Sequence, residues 1–167
     1  MTRPKRRPGA RIVDLSRLRD ELAAARRDGR RIVFTNGCFD LLHAGHVRLL
    51  ESAAELGNLL VVGLNDDASV RRLKGAERPF VPFHERAEIL AALEAVDLVV
   101  GFPEDTPEKL VAAVLPDVLV KGGDWSPDSI VGRETVESHG GRVVTIPLRA
   151  GRSTSAIVER IRSSGSS

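Results

Sequence analysis

The chain has 167 residues, 42% hydrophobic and 29% charged, with a formal net charge of +2 and one cysteine. These values describe a single globular domain with room for a substantial core, and they exclude an internal disulfide. No apolar run approaches the roughly 20 residues of a membrane helix, and the start lacks the apolar core of a secretory signal, so a cytoplasmic location is expected.

The charge is uneven. Arg3, Lys5, Arg6, Arg7 and Arg11 precede the first acid, Asp14, which leaves 20 basic against 23 acidic residues in the remainder. Residues 1–11 read as a disordered basic tail rather than a nucleic-acid arm, because no aromatic interleaves the charges. Residues 12–163 read as a single domain, and 164–167 as a flexible end.

Asp14 or Ser16 caps a helix through about Arg27, with Leu15, Leu18, Leu22 and Ala25 on one face and Gly29 ending it. Ile32, Val33 and Phe34 then form a short apolar run suited to a buried parallel strand, broken at Asn36-Gly37. A helix starts near Ala44, where Val47, Leu50, Ala53 and Ala54 recur at spacings of three and four, and Gly57 stops it. His43, Gly45 and His46 fall in its first turn. Backbone N–H groups there lack internal partners and carry partial positive charge, so an anion is stabilised. Two imidazoles three residues apart reach one point beyond that end, and Gly45 leaves room for a ligand.

A second strand covers Leu59 to Leu64 and exits at Asn65-Asp66. A polar stretch with Arg71, Arg72, Lys74 and Arg78 follows, broken by Gly75, Pro79 and Pro82. A helix from about His84 to Ala95 leads to a third strand, Leu98 to Phe102. Thr106-Pro107 reads as a helix start with Thr as N-cap, the helix ending before Pro116. A fourth strand spans Asp117 to Lys121, a loop Gly122 to Trp125, a helix about Pro127 to Ser138, and a fifth strand Arg142 to Ile146. Ser153 to Ile161 closes the chain as an amphipathic helix. The alternation predicts an α/β, Rossmann-like doubly wound sheet of about five parallel strands. In such sheets ligands bind beyond the carboxyl ends of the strands, so loops 36–46, 65–74 and 121–125 are expected to converge.

His43 and His46 lack the further ligands of a metal site, since the other histidines are His84 and His139 and no second cysteine exists. Their polar loop and the intervening Gly45 argue against core packing. Charge stabilisation in phosphate chemistry is the remaining role. Thr35, Asn36 and Gly37 offer backbone donors to a phosphate, and Cys38 is a small packed residue. Ser153, Thr154 and Ser155 either cap their helix or hold phosphates there. Asp40 either binds ligand hydroxyls or braces its loop, with the same ambiguity at Asn65 and Asp66. Arg86 pairs with a carboxylate or contacts phosphate. Trp125 stacks on a base or packs.

His43-Ala-Gly-His46 after Gly37-Cys-Phe-Asp40 resembles the HxGH signature of the nucleotidylyltransferase superfamily, with the cytidylyltransferase-like subgroup closest. Further blocks extend the likeness: Asn65 to Gly75, Glu85 to Leu93, Glu104 to Pro107, Pro116 to Trp125 and Gly151 to Ile157. Together, over residues 30–162, they resemble the D-glycero-β-D-manno-heptose 1-phosphate adenylyltransferase family, which also occurs as the second domain of bifunctional heptose kinase/adenylyltransferases.

The resemblance implies the HxGH nucleotidylyltransferase fold and transfer of AMP from ATP to a heptose 1-phosphate by direct in-line displacement of pyrophosphate. It implies Mg²⁺ arriving with ATP and no metal cage in the chain. His43, His46 and Lys74 would be catalytic, Lys74 gripping phosphate. Thr35, Asn36, Gly37, Cys38, Phe39, Gly45, Lys121, Gly122, Asp124, Ser153, Thr154 and Ser155 would bind nucleotide, with Ser155 standing where a second Thr is frequent and Arg152 adding charge. Asp40, Asn65, Asp66, Arg86 and Trp125 would serve the sugar phosphate. A homo-oligomer is implied, with no nucleic-acid or membrane partner, and the preceding phosphorylation is expected from another chain. The alternatives are a cytidylyltransferase, or another enzyme of a different sugar or polyol phosphate, and a non-catalytic nucleotide-binding module. The presence of both histidines argues against the last.

Overall fold

In the computed structural model, residues 7–123, 125–148 and 153–165 are described; Asp124, Arg152 and most of the N-terminal basic tail lie outside them. Among the described residues six strands form one sheet in which every pairing is parallel. They are β1 (Ile12–Val13), β2 (Ile32–Gly37), β3 (Leu59–Asn65), β4 (Leu98–Phe102), β5 (Val118–Gly122) and β6 (Arg142–Ile146), in the order β1-β4-β3-β2-β5-β6. The sixth strand is β1, an edge pair of residues that binds Val99 and Val100 of β4. Just before it Pro8–Arg11, read above as tail, form a short helix, α1. Arg11 Nη1 donates to the carbonyls of Ala91, Leu93 and Val96, which fastens this segment to the sheet's edge.

Side chains alternate across each strand, so the sheet builds two cores. On one face Ile32, Phe34, Val61, Val100 and Leu119 pack under α2 (Leu15–Arg27) and α6 (Glu108–Val114). On the other, Val33, Leu60, Val62, Val99 and Val120 pack under α3 (Ala44–Ala54) and α5 (Phe83–Ala92). Asp14 caps α2 by accepting from Arg17 N at 2.8 Å. Gly57 sits past the end of α3 for a steric reason: a Cβ there would lie 2.7 Å from the Arg31 carbonyl oxygen.

Three further stretches differ from expectation. The polar stretch after β3 contains a helix, α4 (Asp67–Lys74), capped by Asp66, whose carboxylate accepts from Ser69 N at 2.8 Å. α6 begins later than predicted, with Pro107 as N-cap and no side-chain cap, so the Thr106 hydroxyl is not used for capping. The predicted helix over 127–138 is a single 3₁₀ turn at Pro127–Ser129 followed by α7 (Arg133–Ser138), and α8 (Thr154–Ser164) closes the fold. No helix among the described residues is long and apolar enough to cross a membrane.

From β2 the chain steps to β3 and β4 on one side, then crosses to β5 and β6 on the other. The order of strands therefore reverses between β2 and β5, and the crevice at their carboxyl ends is where such sheets take ligands.

Candidate active site

A cleft of about 540 Å³ opens at that position. Its floor is the β2–α3 loop, Asn36 to Asp40, with His43 and His46. β3 and α4 supply Asn65 and Lys74, β5 and the loop after it supply Lys121 and Trp125, and the start of α8 supplies Ser153, Thr154 and Ser155. The loops expected to converge do so.

His43 is the N-cap of α3, one residue outside the helix, and its Nδ1 accepts from Gly45 N at 3.1 Å. His46, at the third helical position, accepts at Nδ1 from His43 N at 3.3 Å. The two imidazoles thus form a reciprocal capping box, with ring centroids 3.9 Å apart. A ring nitrogen that accepts a hydrogen bond carries no proton, so each neutral ring keeps its proton on Nε2. Burial, with a smaller contribution from His43, lowers the pKa of His46 to about 4. Near neutral pH His46 is therefore an uncharged N–H donor rather than a cation. Phe39 lies against it, ring centroids 5.4 Å apart, on a backbone turned into the left-handed region at φ 45°.

Lys121 Nζ donates to Asn36 Oδ1 at 3.3 Å and stands 5.8 Å over the Trp125 ring. Burial lowers its pKa. Trp125 is half exposed, its indole N–H donating to the Gly122 carbonyl at 3.0 Å. Leu49, Val131 and Leu148 extend this apolar wall of the cleft. Gly122 lies just behind: a Cβ there would meet Leu49 Cδ2 at 2.9 Å. On α8, Ser153 is the N-cap, accepting from Ala156 N at 3.1 Å, and the Thr154 hydroxyl donates to the Leu41 carbonyl at 3.2 Å. The Thr154 bond ties the last helix to the histidine loop.

Several expected site residues sit elsewhere. Thr35 is buried within β2. Gly45 faces a small depression with Arg48 and Ser52 behind the cleft. Asp66 caps α4, as described. Arg86 does not reach the cleft at all. Its guanidinium is fully buried, donating to the carbonyls of Val81 (2.9 Å), Cys38 (2.7 Å) and Asn65 (2.9 Å) and to the Asp67 carboxylate (2.7 Å). Of its two expected roles it performs the pairing one, holding four segments together.

Asp40 touches the cleft but is nearly all buried, accepting from Phe80 N at 2.9 Å, Val81 N at 2.9 Å and the Arg78 guanidinium. Desolvation raises its pKa, yet the two amides and Arg78 outweigh that and hold the carboxyl below its ordinary value. It braces the 78–81 segment. Asn65 is likewise buried, its amide donating to Ser69 Oγ and the Glu104 carbonyl. Cys38 lines the cleft as a thiol whose pKa burial raises, against the pull of Lys74, Arg86 and Arg78.

Arg78, Leu73, Asp105, Thr106 and Ser129 also line the cleft, beyond the site residues that the sequence points to. Arg78 was visible only as one charge among several in a polar stretch. Nothing in spacing revealed that Asp40 would recruit it.

An anion-directed cleft at the switch point of a parallel sheet, floored by a histidine-capped helix, defines a nucleotide-handling α/β protein of the HxGH type. The chain belongs to the cytidylyltransferase-like family, whose model matches residues 34–160. It is 60% identical over 144 residues to the bifunctional protein HldE of Syntrophotalea carbinolica, covering 86% of this chain and 29% of that protein. It is 56% identical over 157 residues to bifunctional protein HldE of Halorhodospira halophila, covering 94% of this chain and 33% of that one. The chain thus spans about a third or less of the length of these relatives. The crystal structure of the lipopolysaccharide core biosynthesis protein from Thermoplasma volcanium superposes with a TM-score of 0.60 at 27% identity, over 72% of this chain and 98% of that one. Pantoate-β-alanine ligase from Francisella tularensis shares the fold, with a TM-score of 0.62 at 15% identity over 86% of this chain and 68% of that one.

Proposed function

We propose that the chain is a sugar-phosphate adenylyltransferase that transfers AMP from ATP to a heptose 1-phosphate, releasing pyrophosphate. The observation that carries this reading is the pair of imidazoles that accept backbone hydrogen bonds at Nδ1 at the mouth of α3, lining a cleft that also holds Lys74 and the start of α8. The identity to bifunctional HldE proteins supports the heptose acceptor.

The acceptor phosphate is already ionised near neutral pH and needs no general base. Its oxygen attacks the α-phosphorus in line, and the bond to the β-phosphate oxygen breaks as pyrophosphate leaves. His43 and His46 donate to oxygens on which negative charge grows during that transfer. Uncharged donors suit this task, because their hydrogen bonds strengthen with the charge on the transferring group. Lys74 steadies phosphate from α4, Lys121 and the Asn36–Phe39 loop hold the α-phosphate and ribose, and the start of α8 receives the β- and γ-phosphates. Trp125, Leu49 and Leu148 offer the base an apolar face.

A divalent cation, Mg²⁺ in this reading, comes with the triphosphate. Asp40 is taken up by Arg78 and two amides, and Asp105 is paired with Arg72. Among the described residues no group of three His, Cys, Asp or Glu side chains is placed to hold a metal. Phosphate oxygens therefore suit the ion better than the chain does; when bound, it offsets triphosphate charge. The same reading includes a cytoplasmic location, where ATP is available, and a dimer or larger assembly, which sedimentation equilibrium measures.

The test is pyrophosphate release by the full chain over a matrix of nucleoside triphosphates and phosphorylated sugars. ATP with heptose 1-phosphate is expected to give the highest kcat/KM. Without acceptor, labelled pyrophosphate should not exchange into ATP, since no adenylyl-enzyme forms. Preference for CTP, or exchange without acceptor, overturns the reading.

A further inference from the structure

The strand order divides the cleft. In the adenylyltransferase reading the nucleotide takes the part of the cleft built by β2, β5 and the start of α8, which leaves the part beside β3 and β4 for the acceptor. That part is lined by Lys74, Leu73, Asp105, Thr106 and Pro107. The loop after β4 is clamped there from two sides. Arg72 donates through Nη2 to the Pro103 carbonyl at 2.6 Å and through Nε to Asp105 Oδ1 at 2.7 Å. The buried Asn65 amide donates to the Glu104 carbonyl at 3.2 Å. Among the described residues, Asp105 Oδ2 and the Thr106 hydroxyl have no protein hydrogen-bond partner, and Thr106 is not used to cap α6.

A fixed loop therefore presents a carboxylate oxygen and a hydroxyl to the cleft. Although Arg72 offsets its charge, the free Asp105 oxygen is acceptor-only, as phosphate oxygens are, so it does not complement the charged end of a sugar phosphate. It accepts well from hydroxyl groups, and such charge-assisted bonds are strong. The acceptor is oriented accordingly, with its phosphate toward Lys74 and the imidazoles and its hydroxyl-bearing face toward the loop after β4.

We propose that Asp105 and Thr106 are specificity-determining residues that bind the sugar hydroxyls of the acceptor, with Arg72 as the residue that positions Asp105. This rests on the adenylyltransferase reading above, and the test separates the two. The full chain and its Asp105→Asn and Thr106→Val variants are assayed with a hexose or heptose 1-phosphate, with the matching deoxy-sugar 1-phosphates, and with ATP. Asp105→Asn is expected to raise the KM for the acceptor by about tenfold or more, while the KM for ATP stays within about twofold. Thr106→Val should raise acceptor KM by about threefold. Removing the recognised hydroxyl from the acceptor should penalise the wild-type chain and add nothing further in Asp105→Asn. Unchanged acceptor KM in both variants, or equal penalties for hydroxylated and deoxy acceptors, overturns the assignment while leaving the adenylyltransferase reading intact. A wild-type chain that releases pyrophosphate with no sugar 1-phosphate overturns both.

Discussion

Arg86 offers the sharpest separation between a bracing and a ligand-binding role. Replacing it with Met keeps the stem and deletes the guanidinium. The substitution removes donors from three carbonyls and one carboxylate, at 2.7–2.9 Å, in a side chain with no solvent exposure. Breaking one side of a buried charged pair costs about 3–5 kcal/mol. Asp67 is 34% exposed and regains water, which argues for the middle of that range. We expect Arg86→Met to lose about 4 kcal/mol, equivalent to roughly 8–16 °C in a domain of this size. Urea denaturation followed by far-UV circular dichroism measures it. Arg86→Lys should recover less than half, because an ammonium lacks the planar fork that reaches Val81, Cys38 and Asn65 together. A loss below about 1 kcal/mol, with a large rise in the KM for either substrate, would refute the bracing role.

Asp40→Asn leaves the 78–81 segment with one weaker acceptor in place of a carboxylate bonded to two amides and Arg78. We expect a loss of about 2 kcal/mol and faster proteolysis between Gly75 and Pro82; unchanged cleavage kinetics would contradict it. His46 titrates at about 4 in the fold and near 6.5 when unfolded. Between those values the unfolded chain binds more protons, so stability should fall as pH drops through this window. His46→Gln should flatten that part of the melting-temperature profile, and identical slopes would sink the claim. Trp125 is the single tryptophan, half exposed in the cleft. Saturating ATP should change its fluorescence, and a turnover-competent chain with an unaltered spectrum would remove it from the base site.

Strands with strong apolar runs were legible almost to the residue. Leu98–Phe102 and Arg142–Ile146 lie where the sequence puts them. α4 was missed because Asp67–Lys74 carries only Val70 and Leu73 as large apolar residues among its charges, too weak a period to read. β1 was missed for another reason: two residues have no periodicity, and Ile12–Val13 become a strand only because β4 offers them an edge. The histidines were legible because their spacing at a helix start carries its own physics. Asp40 and Arg86 were legible as charges but not as buried ones. Burial depends on which segments the sheet order brings overhead, and Arg78 and Asp105 reach the cleft by that same non-local route.

The central claim is that the paired imidazoles stabilise the transferring phosphoryl group rather than merely shape the loop. Its most direct measurement is kcat and KM for ATP in pyrophosphate release by His43→Ala, His46→Ala and the wild-type chain. A fall in kcat of about 10²–10³ is expected in each variant, with the KM for ATP changed only a few fold. Turnover at the wild-type rate in either variant would contradict it.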